Sequence, residues 1–172
     1  MDLEAIKNIR WMIFDVDGVM TDGNLYYTDS GEEIKAFSAL DGQGLQLLQR
    51  SGVGVAIITG RESALLSKRA KELGIRHLYQ GADDKLAAFE QLQHSVAVSA
   101  QACGYMGDDL VDLPVMRRCA YRVAPPTAHS LVQQYADYIT QAAAGQGAVR
   151  EVCEQIMQVQ GTWSKQLAFY LR

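Results

Sequence analysis

The chain is 172 residues long and 48% hydrophobic, enough for the core of one compact domain with nothing left over to build a second. Its formal charge of -4, with no Lys/Arg-rich run and no basic stripe interleaved with aromatic residues, excludes the usual footprint of a nucleic-acid binder. The opening MDLEAIKNIRWMIFDVDG lacks the features of a signal peptide and no apolar run is long enough to span a membrane, so the expectation is a cytoplasmic protein meeting neither nucleic acid nor membrane.

In chain order, the first β-rich run predicts a strand over Ile9–Val16. NLYYTDSGEEIKAFSAL follows, with β-prone Leu25–Tyr27 and Ile34–Phe37 around the turn-forming Thr28–Gly31. This reads as a β-hairpin flap over about residues 24–38, too short to be a lid domain. A two-stranded hairpin is marginal alone in water, so Leu25, Tyr26, Tyr27 and Phe37 need a surface, expected on a neighbouring subunit, the alternative being their own domain. Beyond Asp41, Leu45 and Leu48 recur at helical spacing and Gly52 is placed to end that helix; Leu65, Leu66, Arg69 and Leu73, closed by Gly74, predict another. Strands are expected at Val53–Ile58, His77–Tyr79, Cys103–Met106, Tyr121–Ala124 and Tyr138–Thr140, with a helix beginning at Lys85. GTWSKQLAFYLR, about residues 161–172, reads as a tail whose Trp163, Leu167, Phe169 and Tyr170 dock either on another subunit or on their own domain. Such alternation predicts an α/β fold, a doubly wound, Rossmann-like parallel sheet with a hairpin flap and no cap domain, whose ligands bind at the carboxyl edge of the strands. Cys103, Cys119 and Cys153 are odd in number and widely spaced, which indicates neither disulfides nor zinc.

Two acidic groups fall at that edge: Asp15 and Asp17 after the first strand, Asp108 and Asp109 after Tyr105–Met106. Carboxylates converging this way repel one another unless a cation intervenes, and oxygen-only ligands suit Mg²⁺. Thr59 in AIITGRE ends the second strand of the sheet, with the backbone of Gly60 beside it, and Lys85 in GADDKLAAF adds an ammonium over the same edge. Together they turn an acidic pocket into a phosphate pocket.

With DVDGV at 15–19, Thr59 in IITGR, Lys85 after a short spacer and GDDLVD at 107–112, the sequence resembles the haloacid dehalogenase superfamily of phosphohydrolases. GEEIKAF, LYQG at 78–81 and the late GQGAVRE extend the resemblance across nearly the whole chain, to a small capless branch known as tetramers in which one subunit's hairpin helps enclose its neighbour's site. The resemblance implies that Asp15 is the nucleophile, forming an aspartyl-phosphate, and that Asp17 protonates the leaving oxygen and then activates water. It further implies Mg²⁺ held by Asp15, Asp108 and the backbone carbonyl of Asp17, Thr59 and Lys85 on the transferred phosphoryl group, and Asp109 and Asp112 as orienting residues behind the ligands. The implied substrate is a sugar-acid phosphate of lipopolysaccharide biosynthesis, an octulosonate 8-phosphate, with a nonulosonate 9-phosphate as the alternative. Arg61 is a candidate for the sugar-acid carboxylate, and Arg150 is either a second candidate or a helix surface charge. Leu40 in FSALDG stands where relatives often carry arginine and AAGQG replaces AGGRG, departures that bear on substrate rather than reaction type. A phosphoaccepting receiver module and a non-catalytic oligomeric scaffold are the rival classes; an acid/base two residues after the nucleophile separates hydrolysis from storage of phosphate, and the intact acidic and basic set speaks against a scaffold.

Overall fold

The computed structural model describes residues 2–172. The chain runs α1 (Leu3–Lys7), β1 (Trp11–Phe14), β2 (Tyr26–Tyr27), β3 (Glu33–Ile34), α2 (Ala39–Arg50), β4 (Gly54–Ile58), α3 (Ala64–Glu72) and β5 (His77–Tyr79). It continues through α4 (Lys85–Val96), β6 (Cys103–Met106), α5 (Leu113–Met116), β7 (Tyr121–Ala124), α6 (Ser130–Tyr135), β8 (Tyr138–Ile139), α7 (Ala148–Val159) and α8 (Trp163–Ala168). The main sheet is six-stranded in the order β5-β4-β1-β6-β7-β8, every pair parallel, while β2 and β3 form a separate antiparallel hairpin. From β1 the chain builds outward through β4 and β5, then returns to the other side of β1 to lay down β6. The order therefore reverses at β1, and a reversal opens a crevice beyond the carboxyl ends of the strands that flank it.

Alternating side chains fill both faces. Met12, Phe14, Val55 and Ile57 pack with Ile6, Leu45, Leu48, Leu66, Val152 and Ile156 on one side; Ile13, Ala56, Ile58 and Tyr105 pack with Phe89, Leu92, Val115, Met116 and Val132 on the other. A parallel strand covered by helices on both faces must be apolar along its whole length, which is why β1 and β4 read as continuous hydrophobic runs. α2 and α7 lie side by side, and Gly44 is what lets them meet: a Cβ there would stand 2.9 Å from Cα of Arg150. Asp41, 2% exposed in the first turn of α2, accepts from the backbone N–H of Arg150 at 2.8 Å and of Gly147 at 3.4 Å, capping α7 from another helix.

The parallel, doubly wound sheet with a hairpin and no inserted cap domain is as the sequence leads one to expect, with three local differences. β1 is shorter than Ile9–Val16, because after Phe14 the chain turns so that the N–H groups of Val19, Met20 and Thr21 converge on the Val16 carbonyl. The hairpin arms are two residues each, since past Ile34 the strand is drawn away from its partner by Lys35. The final residues are not an extended tail: Trp163–Ala168 is a helix lying on its own domain, with Trp163 against the core and the Tyr170 hydroxyl accepting from Gln43 at 2.6 Å. Among the described residues, no helix is long and apolar enough to cross a membrane.

Candidate active site

The crevice is built first from β1 and β6. Their register ends on the pair Phe14 and Met106, and the next residue, Asp15, donates its N–H to the Met106 carbonyl at 3.0 Å. Both chains then leave the sheet together, so Asp15 and Asp108 are neighbours by topology. Gly18 permits the approach: its φ is +85°, and a Cβ would come within 2.0 Å of Asp108 Oδ2.

Opposite them, Asp84 caps α4 and fixes Lys85 in the first turn, its ammonium turned inward. Lys85 Nζ lies 2.9 Å from Asp15 Oδ1 and 2.7 Å from Asp112 Oδ1, both carboxylates buried. Asp112 is wholly engaged. Its Oδ1 also accepts from the Tyr105 hydroxyl at 2.7 Å, and its Oδ2 accepts from the backbone N–H groups of Asp108 at 3.0 Å and Asp109 at 3.1 Å. One carboxylate thus anchors the Lys85 ammonium and shapes the loop that carries Asp108. Asp109 caps the short turn Leu110–Asp112, its Oδ1 accepting from the N–H of Leu110 at 2.7 Å.

Charge in this knot is out of balance. One oxygen each from Asp15, Asp108 and Asp112 lies within 4.8 Å of the others, and Lys85 cannot neutralise three. Burial, then the charge of Asp112, pushes Asp15 up to about 6 despite Lys85; burial, then Asp15 and Asp112, pushes Asp108 up to about 8. Burial alone would lower Lys85, but Asp112 and Asp15 hold it above the ordinary lysine value. Asp108 Oδ1 is buried without a hydrogen-bond partner, whereas both oxygens of Asp112 are taken. A small hard cation fits Asp15 and Asp108: it would satisfy the orphaned oxygen and remove the repulsion that raises both groups.

Thr59, the residue after β4, is 2% exposed and faces a cavity of about 430 Å³ lined by Asp15, Asp17, Thr59, Gly60, Arg61, Lys85, Asp108 and Asp109, with Leu25 on its wall. Arg150 is not among them. It begins α7, pairs with Glu154 and lies over Trp163, lining a separate cavity of about 180 Å³ under α8, so in its own chain its guanidinium is committed away from the phosphate pocket.

The hairpin adds residues that sequence reading passed over. Lys35 Nζ donates to Asp17 Oδ1 at 2.7 Å, and Glu33 accepts from Arg61 at 2.9 Å through Oε1 and from the Ser63 hydroxyl at 2.7 Å through Oε2. Arg61 also donates to the Tyr27 hydroxyl at 3.1 Å. The flap therefore lies on its own active edge through polar contacts while Leu25, Tyr26, Tyr27 and Ile34 stay exposed. A signal existed: Glu33 and Lys35 flank Ile34, and positions two apart on a strand share a face.

A parallel sheet reversing at an Asp-x-Asp strand end, with a threonine, a lysine and a second acidic loop around it, defines a phosphohydrolase of the haloacid dehalogenase class. Comparison with known proteins agrees. The profile of the haloacid dehalogenase-like hydrolases matches residues 75–152. The 3-deoxy-D-manno-octulosonate 8-phosphate phosphatase of Escherichia coli K12 is 48% identical over 155 residues, spanning 90% of this chain and 82% of that protein. The crystal structure of the Moraxella catarrhalis enzyme of that name, in complex with magnesium, phosphate and KDO, superposes with a TM-score of 0.95 at 43% identity, covering 98% of this chain and 97% of that one. The cobalt-bound Haemophilus influenzae phosphatase superposes with a TM-score of 0.92 at 36% identity, covering 98% and 99%. The chain belongs to the haloacid dehalogenase-like hydrolases, in the family of the 3-deoxy-D-manno-octulosonate 8-phosphate phosphatases.

Proposed function

We propose that this protein is a Mg²⁺-dependent phosphatase that hydrolyses 3-deoxy-D-manno-octulosonate 8-phosphate to the free sugar acid and phosphate through an aspartyl-phosphate. The observation that carries the reaction type is the meeting of Asp15, Asp17, Lys85 and Asp108 around one cavity with an orphaned carboxylate oxygen in its wall. Asp15 attacks phosphorus; Asp17 gives its proton to the departing sugar oxygen and later takes one from the attacking water. Thr59 and Lys85 bind the phosphoryl oxygens as charge redistributes over them. Asp15, Asp108 and the backbone carbonyl of Asp17 would hold Mg²⁺, whose charge would offset repulsion between nucleophile and phosphate. Arg61 sits at the rim, where its fork suits the carboxylate of a sugar acid.

The residues act as a single domain, about 1–172, in the cytoplasm. The exposed aromatic and aliphatic side chains of the hairpin support a homotetramer in which a flap closes the neighbouring site, quaternary structure standing in for a lid. The E. coli and M. catarrhalis relatives named above support the octulosonate as substrate. Phosphate release from a panel of sugar phosphates, with and without chelator, tests the reading: the octulosonate 8-phosphate is expected to give the highest kcat/KM, abolished by chelation and restored by Mg²⁺. A higher kcat/KM for a nonulosonate 9-phosphate would reassign the substrate, and release unaffected by chelation would overturn the mechanism.

A further inference from the structure

The two oxygens of Asp17 are not equivalent. Oδ1 accepts from Lys35 Nζ at 2.7 Å, and the Lys35 side chain is 5% exposed, held by Asp17 and by Glu33 at 3.7 Å. Oδ2 is buried without a hydrogen-bond partner on the side where Arg61 Nε stands 3.6 Å away, too far for a hydrogen bond and itself without one. Oδ2 is thus within ion-pair distance of the guanidinium but takes no hydrogen bond, and beside a reaction cavity that bond is one the substrate could provide.

We infer that Lys35 is a positioning residue for the leaving-group proton transfer: by occupying Oδ1 it leaves Oδ2 as the oxygen that carries and donates the proton. The inference rests on the reading of Asp17 as acid and deepens it. As the bond from Asp15 to phosphorus forms and the bond from phosphorus to the ester oxygen breaks, that oxygen takes the proton from Asp17 Oδ2. Asp17 is left as a carboxylate whose charge the Lys35 ammonium, already in contact, stabilises without rearrangement. The hairpin thereby does more than wall the cavity. An acid free to rotate about its Cβ–Cγ bond would present either oxygen; one pinned at Oδ1 presents only the other, and small errors of placement cost orders of magnitude in rate.

Leaving-group dependence separates this from a structural role. A nitrophenolate departs without a proton, an alkoxide does not, and kcat/KM reports only steps through formation of the phosphoenzyme. With Mg²⁺ present, Lys35→Ala and Lys35→Met are expected to lose about 100-fold in kcat/KM on a simple alkyl phosphate, but less than about 3-fold on 4-nitrophenyl phosphate, substrates that both lack a carboxylate. Lys35→Arg should recover most of the alkyl activity. Asp17→Asn, run in parallel, should discriminate between the two substrates at least as strongly. Equal losses on both substrates in the Lys35 variants, while Asp17→Asn still discriminates, would overturn the role of Lys35 alone. Absence of discrimination in Asp17→Asn would overturn the acid assignment beneath it. Thermal melts of both Lys35 variants exclude unfolding, and agreement between Ala and Met excludes an effect of the cavity left by truncation.

Discussion

The two halves of the site are held by different means. Around Asp15 and Asp108 every support is buried: Lys85, Asp112 and Tyr105 are locked between β1, β6 and α4 by contacts of 2.7–2.9 Å. At the rim, Lys35, Glu33 and Arg61 are fixed by a hairpin of two-residue arms whose outer face is open. On the proposed reading the buried half meets the phosphoryl group, which every phosphate monoester has, and can be built once and frozen. The rim meets whatever lies beyond the ester oxygen, and apart from Lys35, which it lends to Asp17, a short, marginal element can vary there without disturbing the buried half. Lys35 is thus the one point at which the variable piece of chain reaches into the chemistry.

The largest loss is expected at Asp15. If Asp15 is the nucleophile proposed above, Asp15→Asn is expected to lower kcat by about 10⁴-fold or more, on the order seen when a nucleophile is deleted, with the fold retained in circular dichroism. Substantial activity in a deamidation-free preparation would take Asp15 out of that role. Asp112→Ala sharpens the contrast, since it touches no substrate yet strips a buried ammonium of a partner and two loop N–H groups of their acceptor. About 3 kcal/mol of stability should be lost in denaturant titration, together with a fall of about 100-fold in kcat. A matching change at the rim should behave otherwise. Tyr26→Asp with Ile34→Asp places charge on two cross-strand neighbours of the exposed face, and should dissociate the oligomer in light scattering. It should lower kcat/KM about 10-fold for the sugar-acid phosphate but hardly at all for 4-nitrophenyl phosphate. A wild-type monomer that is fully active would sink the shared-site model.

The smallest effect is the dependence on pH without metal. Asp15 and Asp108 have folded-state values raised from 3.8 to about 6 and about 8. A carboxyl raised on folding contributes stability that is present below its unfolded value and lost as pH rises through the folded one. Metal-free protein should therefore lose a few degrees of Tm as pH climbs from about 4 through about 8. Mg²⁺ should return the loss, and more of it at higher pH, with protons released on binding in calorimetry. An equal Mg²⁺ effect on Tm at both ends of that range would contradict the charge imbalance.

Much of this was legible beforehand, for reasons of period and topology. Continuous apolar runs betrayed the covered strands, and residues that end adjacent parallel strands must meet, so Asp15, Thr59 and Asp108 could be brought together on paper. What could not be read depends on how pieces dock. Lys35 reaches Asp17 across 18 residues and Glu33 reaches Ser63 across 30; their spacing puts both on one face, but which residues that face meets is decided by the tilt of the hairpin. Asp112 takes its Oδ2 contacts from its own loop, but the Lys85 ammonium reaches its Oδ1 only once α4 is laid against that loop. Of the two readings of Arg150, substrate-binding candidate or helix surface charge, the sequence could favour neither, because its pairing with Glu154 and its place over Trp163 depend on how α7 packs against α8. The helix Trp163–Ala168 was hidden by its length, too short to show a period.

Asp41 shows how the order of synthesis bears on the site. Its carboxylate, in the turn of α2 just beyond the hairpin, is satisfied by backbone groups of α7 that lie 106 and 109 residues further along the chain. A nascent chain that has already made every residue lining the phosphate pocket still has a bare apolar face on α2 and an uncapped partner for Asp41, until α7 leaves the ribosome. The hairpin hangs from that same end of α2, so the rim is expected to be the last part of the site to settle, well after Asp15, Asp17 and Asp108 have been translated.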